Sequence, residues 1–189
     1  MKVYGLQFEG MTPLLQSRAY THEVDKLTKE TSNDYEERTW RNKAHVNAEG
    51  FVTIPAIFMR NSLREAARYL GEQIPGKGKS TYTKHFNSGL GIYDDVALPV
   101  KQTDLKGLML LCNADGVHGS GKRVTRIFPK LEKWGGTFKV YVLDETITKD
   151  VLHRHAVEAG NFRGMGTRRP ANGGEFGRFK VLELKEMKA

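Results

Sequence analysis

Apolar and polar residues alternate over several short stretches of the chain, and this period of two predicts β-strands with one buried face. Near the N-terminus, for example, Tyr4, Leu6 and Phe8 share one face. The stretch 105–112 is almost wholly apolar and is expected to be a buried strand, while Gly135-Gly136 is expected to close a hairpin between its neighbours. The predicted strands cover residues 2–9, 51–54, 105–112, 124–131, 137–143 and 177–184.

Two other stretches follow the helical period of 3.6 residues. The first helix is predicted to begin at Pro55 and to run to about Leu70. The second is predicted to begin after Thr146 or Thr148, either of which can cap a helix, and to end at Gly160. The apolar residues expected to face inward on the first helix are Ile57, Leu63, Ala66, Ala67 and Leu70.

Without insertions, the order of these elements is strand, helix, strand, strand, helix, strand. This order predicts an α+β, ferredoxin-like fold, in which two helices cover one face of an antiparallel sheet and leave the other accessible. We expect the 189 residues to form a single domain, with a polar, partly helical insertion at 16–50 and a basic loop insertion at 71–91. RNA-recognition modules use the open face of such a sheet, although one fold hosts many functions.

The charge of the chain narrows the choice of partners. The chain carries 30 Lys and Arg against 22 Asp and Glu, a formal net charge of +8. Such an excess attracts polyanions, so nucleic acid is the first partner to consider, ahead of an anionic membrane. One cysteine excludes an internal disulfide, and no apolar run approaches the roughly 20 residues of a membrane span. Because the N-terminus also lacks a signal peptide, we expect a cytoplasmic protein without membrane contact.

A glycine-rich basic loop over residues 160–178 separates the second helix from the last strand. Glycine permits positive φ and close approach, so successive backbone N–H groups can converge on phosphate oxygens. Arginine adds forked donors that suit phosphate and can stack on bases. The alternative is a tight connection whose glycines only relieve strain. The candidate nucleic-acid ligands in this loop are Arg163, Gly164, Gly166, Arg168, Arg169, Gly173, Gly174, Gly177 and Arg178.

This loop, the ferredoxin-like core and the segment Ile54-Pro55-Ala56 before an arginine-bearing helix resemble the RAMP superfamily of CRISPR systems. The likeness is greatest to the subunit that polymerises along guide RNA, and it implies RNA binding by a self-associating protein. The run from Arg126 to Phe179 also resembles a group of uncharacterised phage and prophage proteins, which brings no known activity. The residues to which the RAMP resemblance assigns RNA contact are Arg60, Arg64, Gly164, Gly166, Gly173, Gly174 and Gly177.

Two further segments and one helix face supply more cations. Residues 76–86 place lysines beside aromatic residues, as single-strand binders do when bases stack in a positive groove, and residues 119–126 carry cations alone. Arginines spaced by four share one face of the first helix. Each of these surfaces could instead be ordinary solvated surface. The candidate contacts are Lys77, Lys79, Tyr82, Lys84, Phe86, Lys122, Arg123, Arg126, Arg60 and Arg64.

The signals for catalysis are weaker. Residues 116–122 match the spacing of a phosphate-binding P-loop, but Arg123 replaces the Ser or Thr that should hold magnesium, so no nucleotide cofactor is expected. No metal is expected either, because His153 and His155 are two apart on a helix and face different directions. A metal-independent ribonuclease, as in some relatives of the RAMP type, stays open. The loop histidines that could act as its acid or base are His22, His85 and His118.

We therefore predict a non-enzymatic, sequence-tolerant protein that binds single-stranded nucleic acid, RNA in preference to DNA. It is expected to self-associate along the strand as a homo-oligomer or filament, in a CRISPR or phage setting. The alternatives are a metal-independent ribonuclease and a phage protein-interaction or virion component.

Overall fold

The computed structural model describes residues 1–20, 23–114, 121 and 123–188. Within these ranges, 3₁₀ and π-helical turns supplement the strands and helices. The strands are β1 (Lys2–Gly10), β2 (Leu14–Leu15), β3 (Phe51–Ile54), β4 (Leu90–Gly91), β5 (Val96–Lys101), β6 (Lys106–Asn113), β7 (Arg123–Leu131), β8 (Gly135–Val142) and β9 (Phe179–Met187). The helices are α1 (Ser32–Thr39), α2 (Ala56–Leu70), α3 (Thr83–Ser88) and α4 (Lys149–Glu158). No helix in the described part of the chain is long and apolar enough to cross a membrane.

Four antiparallel strands form the central sheet, in the spatial order β4-β8-β1-β9. Helix α2 lies between β1 and β4 in the sequence, and α4 lies between β8 and β9. This is the strand order of a ferredoxin-like sheet, so the predicted α+β, ferredoxin-like fold is confirmed. Tyr4, Leu6 and Phe8 are buried as their alternation predicts, and Phe8 stacks on Phe138 with ring centroids 5.2 Å apart.

The predicted hairpin between residues 124–131 and 137–143 is wrong. Strand β7 pairs with β6 and β2, whereas β8 pairs with β1 and β4, so the two strands lie in different sheets. Trp134 is the physical reason for the change of direction. Its ring packs on Phe8 and Phe179, and its indole N–H donates to the carbonyl oxygen of Thr12 at 2.8 Å. The anchored ring therefore directs the chain from the three-stranded sheet into the central sheet rather than back along β7.

The strand over 105–112 exists but is not buried. In β6, which is an edge strand of the three-stranded sheet β2-β7-β6, Met109 and Leu111 are 58% and 67% exposed. A small third sheet, β3-β5, contains a strand that the sequence analysis does not predict. Pro99 lies inside β5 and weakens the sequence signal for a strand. An edge strand such as β5 nevertheless tolerates proline.

The prediction of a loop or flexible hairpin over 71–91 is wrong in its second half. Residues 83–88 form α3, and β4 is the edge strand of the central sheet. The first half does fold back on itself, because the Ile74 N–H donates to Ser80 O at 2.8 Å and Gln73 pairs with Thr81. Part of the predicted insertion therefore belongs to the ferredoxin-like core.

Both core helices form where the sequence predicts them, with differences at single residues. Thr148, rather than Thr146, caps α4 through a hydrogen bond from the Val151 N–H. Gly160 does not end the helix, because the chain widens into a π-helical turn over Ala159–Arg163. On α2, Ile57 is 45% exposed and Met59 is buried in its place.

The last strand departs from strict alternation. A register shift between Gln7 and Phe8 places Val181 opposite Phe8 and Leu184 opposite Leu6, so the inward face changes parity across the shift. Glu183 is exposed and Leu184 is buried. The bulge therefore keeps both ends of β9 in the core.

Within the predicted insertion at 16–50, α1 is fastened to β7 by a buried ion pair. The Lys43 ammonium donates to the carboxylate of Glu36 and, at 2.9 Å, to the backbone oxygen of Ile127. The Ile127 N–H in turn donates to Glu36 at 2.6 Å. The three partners satisfy one another, as buried charges require.

Candidate nucleic-acid interface

The glycine-rich loop folds against the connection between β1 and β2. The Gly177 N–H donates to Pro13 O at 2.8 Å, and the Thr167 N–H donates to Leu15 O at 2.9 Å. The loop also bonds to itself, since the Met165 N–H donates to Gly177 O at 2.9 Å. The segment is therefore a compact flap held to the sheet end by backbone hydrogen bonds.

Its glycines serve mainly the close packing of this flap. Gly164, Gly166, Gly173 and Gly177 have positive φ. A Cβ at Gly174 would overlap the backbone oxygen of Arg168, and one at Gly177 would overlap that of Met165. These observations support the strain-relief alternative for most of the loop.

The expected convergence of backbone N–H groups on phosphate is wrong for several loop residues, because those donors bond within the protein. The Gly164 N–H donates to Ala159 O at 2.8 Å and the Gly173 N–H to Pro170 O at 3.0 Å. The Gly174 N–H donates to Arg169 O at 3.0 Å. Any contact between these parts of the loop and a polyanion must therefore come from side chains.

The four arginines of the loop differ in what holds them. Arg169 makes two hydrogen bonds to Glu65 on α2, at 2.7 and 2.8 Å, and Arg178 donates to the backbone oxygen of Asn161. Arg163 lies over the Tyr69 ring at 4.5 Å. Arg168 is exposed and adopts φ 55°. Arg169 and Arg178 therefore stabilise the flap. Arg163 and Arg168 present cationic groups at its surface.

Arg168 connects the glycine-rich loop with the hairpin of β6 and β7. Its Nη2 lies 2.8 Å from Cys112 Sγ on β6, and its guanidinium is 5.9 Å from the Phe128 ring on β7. One residue beyond Cys112, Asn113 pairs with the exposed Arg123. Two of the three predicted basic segments therefore meet at one surface.

The remaining candidates on that hairpin have different positions. Arg126 lies 3.3 Å from the Glu36 carboxylate and is partly occupied by that pair. Lys122, together with His118 and most of the P-loop-like run 116–122, lies outside the described residues, as does His22.

The prediction that bases stack on Tyr82 and Phe86 is wrong, because both rings belong to the core. Tyr82 is 5% exposed and Phe86 is fully buried, and both pack on His155. The lysines of the same segment, Lys77, Lys79 and Lys84, are exposed. The segment thus offers charge without an aromatic surface.

Of the two candidate arginines on α2, Arg64 contacts α3. Arg64 Nε donates to Asn87 Oδ1 at 3.1 Å, and Arg60 is partly buried. The Arg60 Nε has no hydrogen-bond partner among the described residues. The two side chains stay predicted contacts, at a different face of α2 from the residues that meet the glycine-rich loop.

His85, predicted to lie in a loop, lies on α3 and belongs to a defined pair. His85 Nδ1 lies 2.5 Å from Asp144 Oδ2, and the two side chains are 22% and 28% exposed. Burial opposes ionisation of Asp144, but hydrogen bonds from His85 and Thr146 outweigh it and hold the pKa of this carboxyl below its ordinary value. The pair fixes the imidazole in position and leaves Nε2 for another partner.

Asp95 and His155 have structural roles. Asp95 accepts the Ala56 N–H at 2.9 Å and so satisfies the first turn of α2. His155 is fully buried as expected, and burial lowers its pKa. Among the described residues there is no cluster of three His, Cys, Asp or Glu side chains that could hold a metal ion.

Two pairs of aromatic residues near the surface are not among the contacts predicted from the sequence. Tyr69 on α2 and Phe162 in the π-helical turn have ring centroids 5.6 Å apart. Tyr93 and Tyr141 lie 5.4 Å apart on the open side of the central sheet. An isolated aromatic residue gives no signal in a single sequence for whether it is exposed. Only Tyr69 could be found from the sequence, by a search for exposed positions on the helix that meets the glycine-rich loop.

Known proteins resemble this chain in structure rather than in sequence. No protein-family model matches the sequence, and no curated protein matches it. Among solved structures, a chain of a type III-B Cmr-beta complex, described as bound to cognate target RNA, aligns over 99% of this chain with a TM-score of 0.53 and 11% identity. The chain has a RAMP-like fold. It spans 61% of the length of that matched chain.

Two further structures align with lower scores. Cmr6 from Pyrococcus furiosus matches with a TM-score of 0.47 and 11% identity, covering 95% of this chain and 97% of Cmr6. A chain of a CRISPR RNA-guided surveillance complex matches with a TM-score of 0.38 and 8% identity, covering 95% of this chain and 66% of that chain.

The RAMP-like fold explains why the glycine-rich loop has its position. It connects the second core helix to the last strand of the ferredoxin-like sheet, as the resemblance implies. In this chain the connection forms a flap that contacts both α2 and the second sheet. The resemblance stated from the sequence is thus confirmed for the fold.

Proposed function

We propose that this RAMP-like protein binds single-stranded nucleic acid, RNA in preference to DNA, through side-chain contacts to the phosphate backbone. The observation that carries the proposal is the junction at Arg168, where the glycine-rich flap meets the β6–β7 hairpin. Arg168 and Arg123 are both exposed there. Cations on neighbouring loops form a positive surface that follows a flexible polyanion, and such contacts do not depend on base sequence.

The preference for RNA is supported by the likeness to a chain of a complex that is bound to cognate target RNA. A CRISPR-related or phage setting, and self-association along the strand, extend the same proposal. Because the chain spans only 61% of the matched chain, its partners need to be measured directly.

The first experiment identifies nucleic acid that copurifies with the protein and then titrates labelled single-stranded RNA and DNA at several salt concentrations. We expect affinity to fall steeply with salt, since each neutralised phosphate releases counterions. The Arg168→Ala, Arg123→Ala double variant should weaken binding to all sequences alike and reduce the salt slope by about 1.4.

The matched control is Lys149→Ala, an exposed cation at the opposite end of α4 from the flap. It should leave affinity unchanged. If the double variant binds as tightly as the parent with the same salt slope, the junction is not the binding surface. If the parent protein binds neither RNA nor DNA, the proposal is wrong.

A second candidate function is a metal-independent ribonuclease, which the His85–Asp144 pair favours. A carboxylate that orients an imidazole is a common arrangement for a general base. Labelled RNA incubated in chelator should be cleaved by the parent protein and not by His85→Ala. Intact RNA after incubation with the parent protein would exclude this activity.

A further inference from the structure

Two aromatic rings lie exposed beside the start of the glycine-rich loop. Tyr69, in the last turn of α2, is 54% exposed, and Phe162, in the π-helical turn after α4, is 43% exposed. Their centroids are 5.6 Å apart at an interplanar angle of 35°. Large aromatic residues usually become buried, so two adjacent rings in water indicate a surface that receives a partner.

A cation accompanies these rings. The Arg163 guanidinium lies over the Tyr69 ring, 4.5 Å from its centroid, and Arg163 Nε donates to the backbone oxygen of Phe162 at 2.9 Å. The pair of rings is thus bordered by a positive charge held in a defined place. An apolar protein partner has no need of that charge, whereas a base attached to a phosphate needs both the ring and the cation.

The backbone around the rings is firmly placed. The π-helical turn is fixed at its start by Gly160, where a Cβ would overlap the backbone oxygen of Phe179. Its carbonyl at Ala159 accepts from the Gly164 N–H at 2.8 Å and from the Ser62 hydroxyl at 3.4 Å. π-Helical turns are rare and occur frequently at functional sites.

Along the chain, Tyr69 lies between the α2 residue that holds the flap and the start of the basic segment 71–91. Glu65, which holds Arg169 of the flap, precedes Tyr69 by one turn of α2, or about 6 Å along the helix axis. After Tyr69 the helix ends, and Gly71 begins the segment that carries Lys77 and Lys79.

We propose that Tyr69, Phe162 and Arg163 form a stacking platform for an unpaired base of the bound strand. Phe162 and Tyr69 supply the π-surfaces, and Arg163 supplies the charge for an adjacent phosphate. This inference rests on the proposed function, and it adds that this surface receives a base of the bound strand. It does not read sequence, because every base has a face that can stack.

The test uses the full chain and two fluorescent probes: a 12-nucleotide oligouridine and a ribose-phosphate strand of equal length without bases. The parent should bind the oligouridine more tightly than the abasic strand. The Tyr69→Leu, Phe162→Leu double variant should lose about tenfold in affinity for the oligouridine, since stacking contributes about 1–3 kcal/mol per base. It should retain its affinity for the abasic strand and its salt slope.

Two further variants test the ring and the charge separately. Tyr69→Trp keeps an aromatic ring and should retain the parent affinity. Arg163→Ala should weaken both probes and lower the salt slope by about 0.7, as expected for one phosphate of a single strand. Circular dichroism and gel-filtration mass, measured without nucleic acid, monitor folding and assembly.

The results separate this inference from the proposed function. If the parent binds RNA and the double Leu variant binds the oligouridine equally well, the platform is wrong while the proposed function stands. Equal losses on both probes would also overturn it, because the effect would then be one of charge or folding. A change in gel-filtration mass without nucleic acid would instead identify the rings as a protein interface. Failure of the parent to bind either probe would overturn both proposals.

Discussion

The segments 160–178 and 71–91 are both rich in glycine and carry several basic residues, yet their glycines have different structural roles. In the first, Gly174 and Gly177 are surrounded so closely by backbone that no larger residue fits. In the second, Gly76 and Gly78 also have positive φ, but nothing lies within 4 Å of where a Cβ would be. Glycine content alone therefore does not distinguish a packed flap from an open turn.

In these two segments, proximity in sequence does not predict which aromatic residues lie beside which cations. Tyr82 and Phe86 lie next to the lysines of 71–91 but point into the core. The aromatic partner of Arg163 comes instead from α2, far away in the sequence. A binding surface is assembled by tertiary contacts, so neighbours in sequence need not be neighbours on the surface.

Replacing Phe86 should have the largest effect. Because its ring is fully buried and stacks on His155 with centroids 4.3 Å apart, Phe86→Ala should lower the free energy of unfolding by about 3–5 kcal/mol. Lys84→Ala, exposed on the same short helix, should change it by less than about 0.5 kcal/mol. Urea unfolding followed by circular dichroism measures both. Equal stability of the two variants would contradict a core role for Phe86.

The next effect separates the two kinds of glycine. Gly177→Ala should lower the free energy of unfolding by about 3 kcal/mol, because it combines strained φ with overlap onto Met165 O. Gly78→Ala has positive φ in open space and should cost about 1 kcal/mol. The same urea titration applies, and similar losses at the two positions would mean that close packing contributes little.

Arg169 should matter for stability more than for binding. Arg169→Ala removes two hydrogen bonds to the partly exposed Glu65, and we expect a loss of about 1 kcal/mol in the free energy of unfolding. A double-mutant cycle with Glu65→Ala isolates the coupling between the two side chains. A coupling near zero, together with a large loss of RNA affinity in Arg169→Ala, would show that Arg169 contacts RNA instead.

The smallest effect on stability is expected for the exposed lysines. The Lys77→Ala, Lys79→Ala double variant should leave the free energy of unfolding within about 0.5 kcal/mol of the parent. If the strand reaches this segment, the slope of log affinity against log salt should fall by about 1.4, or 0.7 for each phosphate. Fluorescence anisotropy between 50 and 200 mM salt measures it, and an unchanged slope would confine the strand to the flap side.

The sequence predicts the fold better than it predicts the surface. Alternation in β1, the periodicity of α2 and the cap at Thr148 are local signals that survive in the structure. The pairing of β7 and β8 with different sheets depends on the packing of Trp134, a contact across the chain that no local pattern contains.

The candidate site is predicted only in part for the same reason. The basic glycine-rich segments are visible in the sequence, and two of them do meet at Arg168. Whether an aromatic residue faces water depends on the core around it. Tyr82 and Phe86 pack on the buried His155, whereas the π-helical turn after α4 exposes Phe162. These orientations follow from tertiary packing rather than from spacing.

The π-helical turn also determines how this surface responds to a change in chain length. A π turn contains about one residue more than an α-helical turn, so a variant lacking Asn161 could close the same segment with α-helical geometry. The side chains that follow would then rotate by about 100° relative to α4. Tyr69, Phe162 and Arg163 would all remain in the chain, yet the two rings would no longer meet. Loss of a single residue could thus abolish the aromatic pair without substituting any member of it.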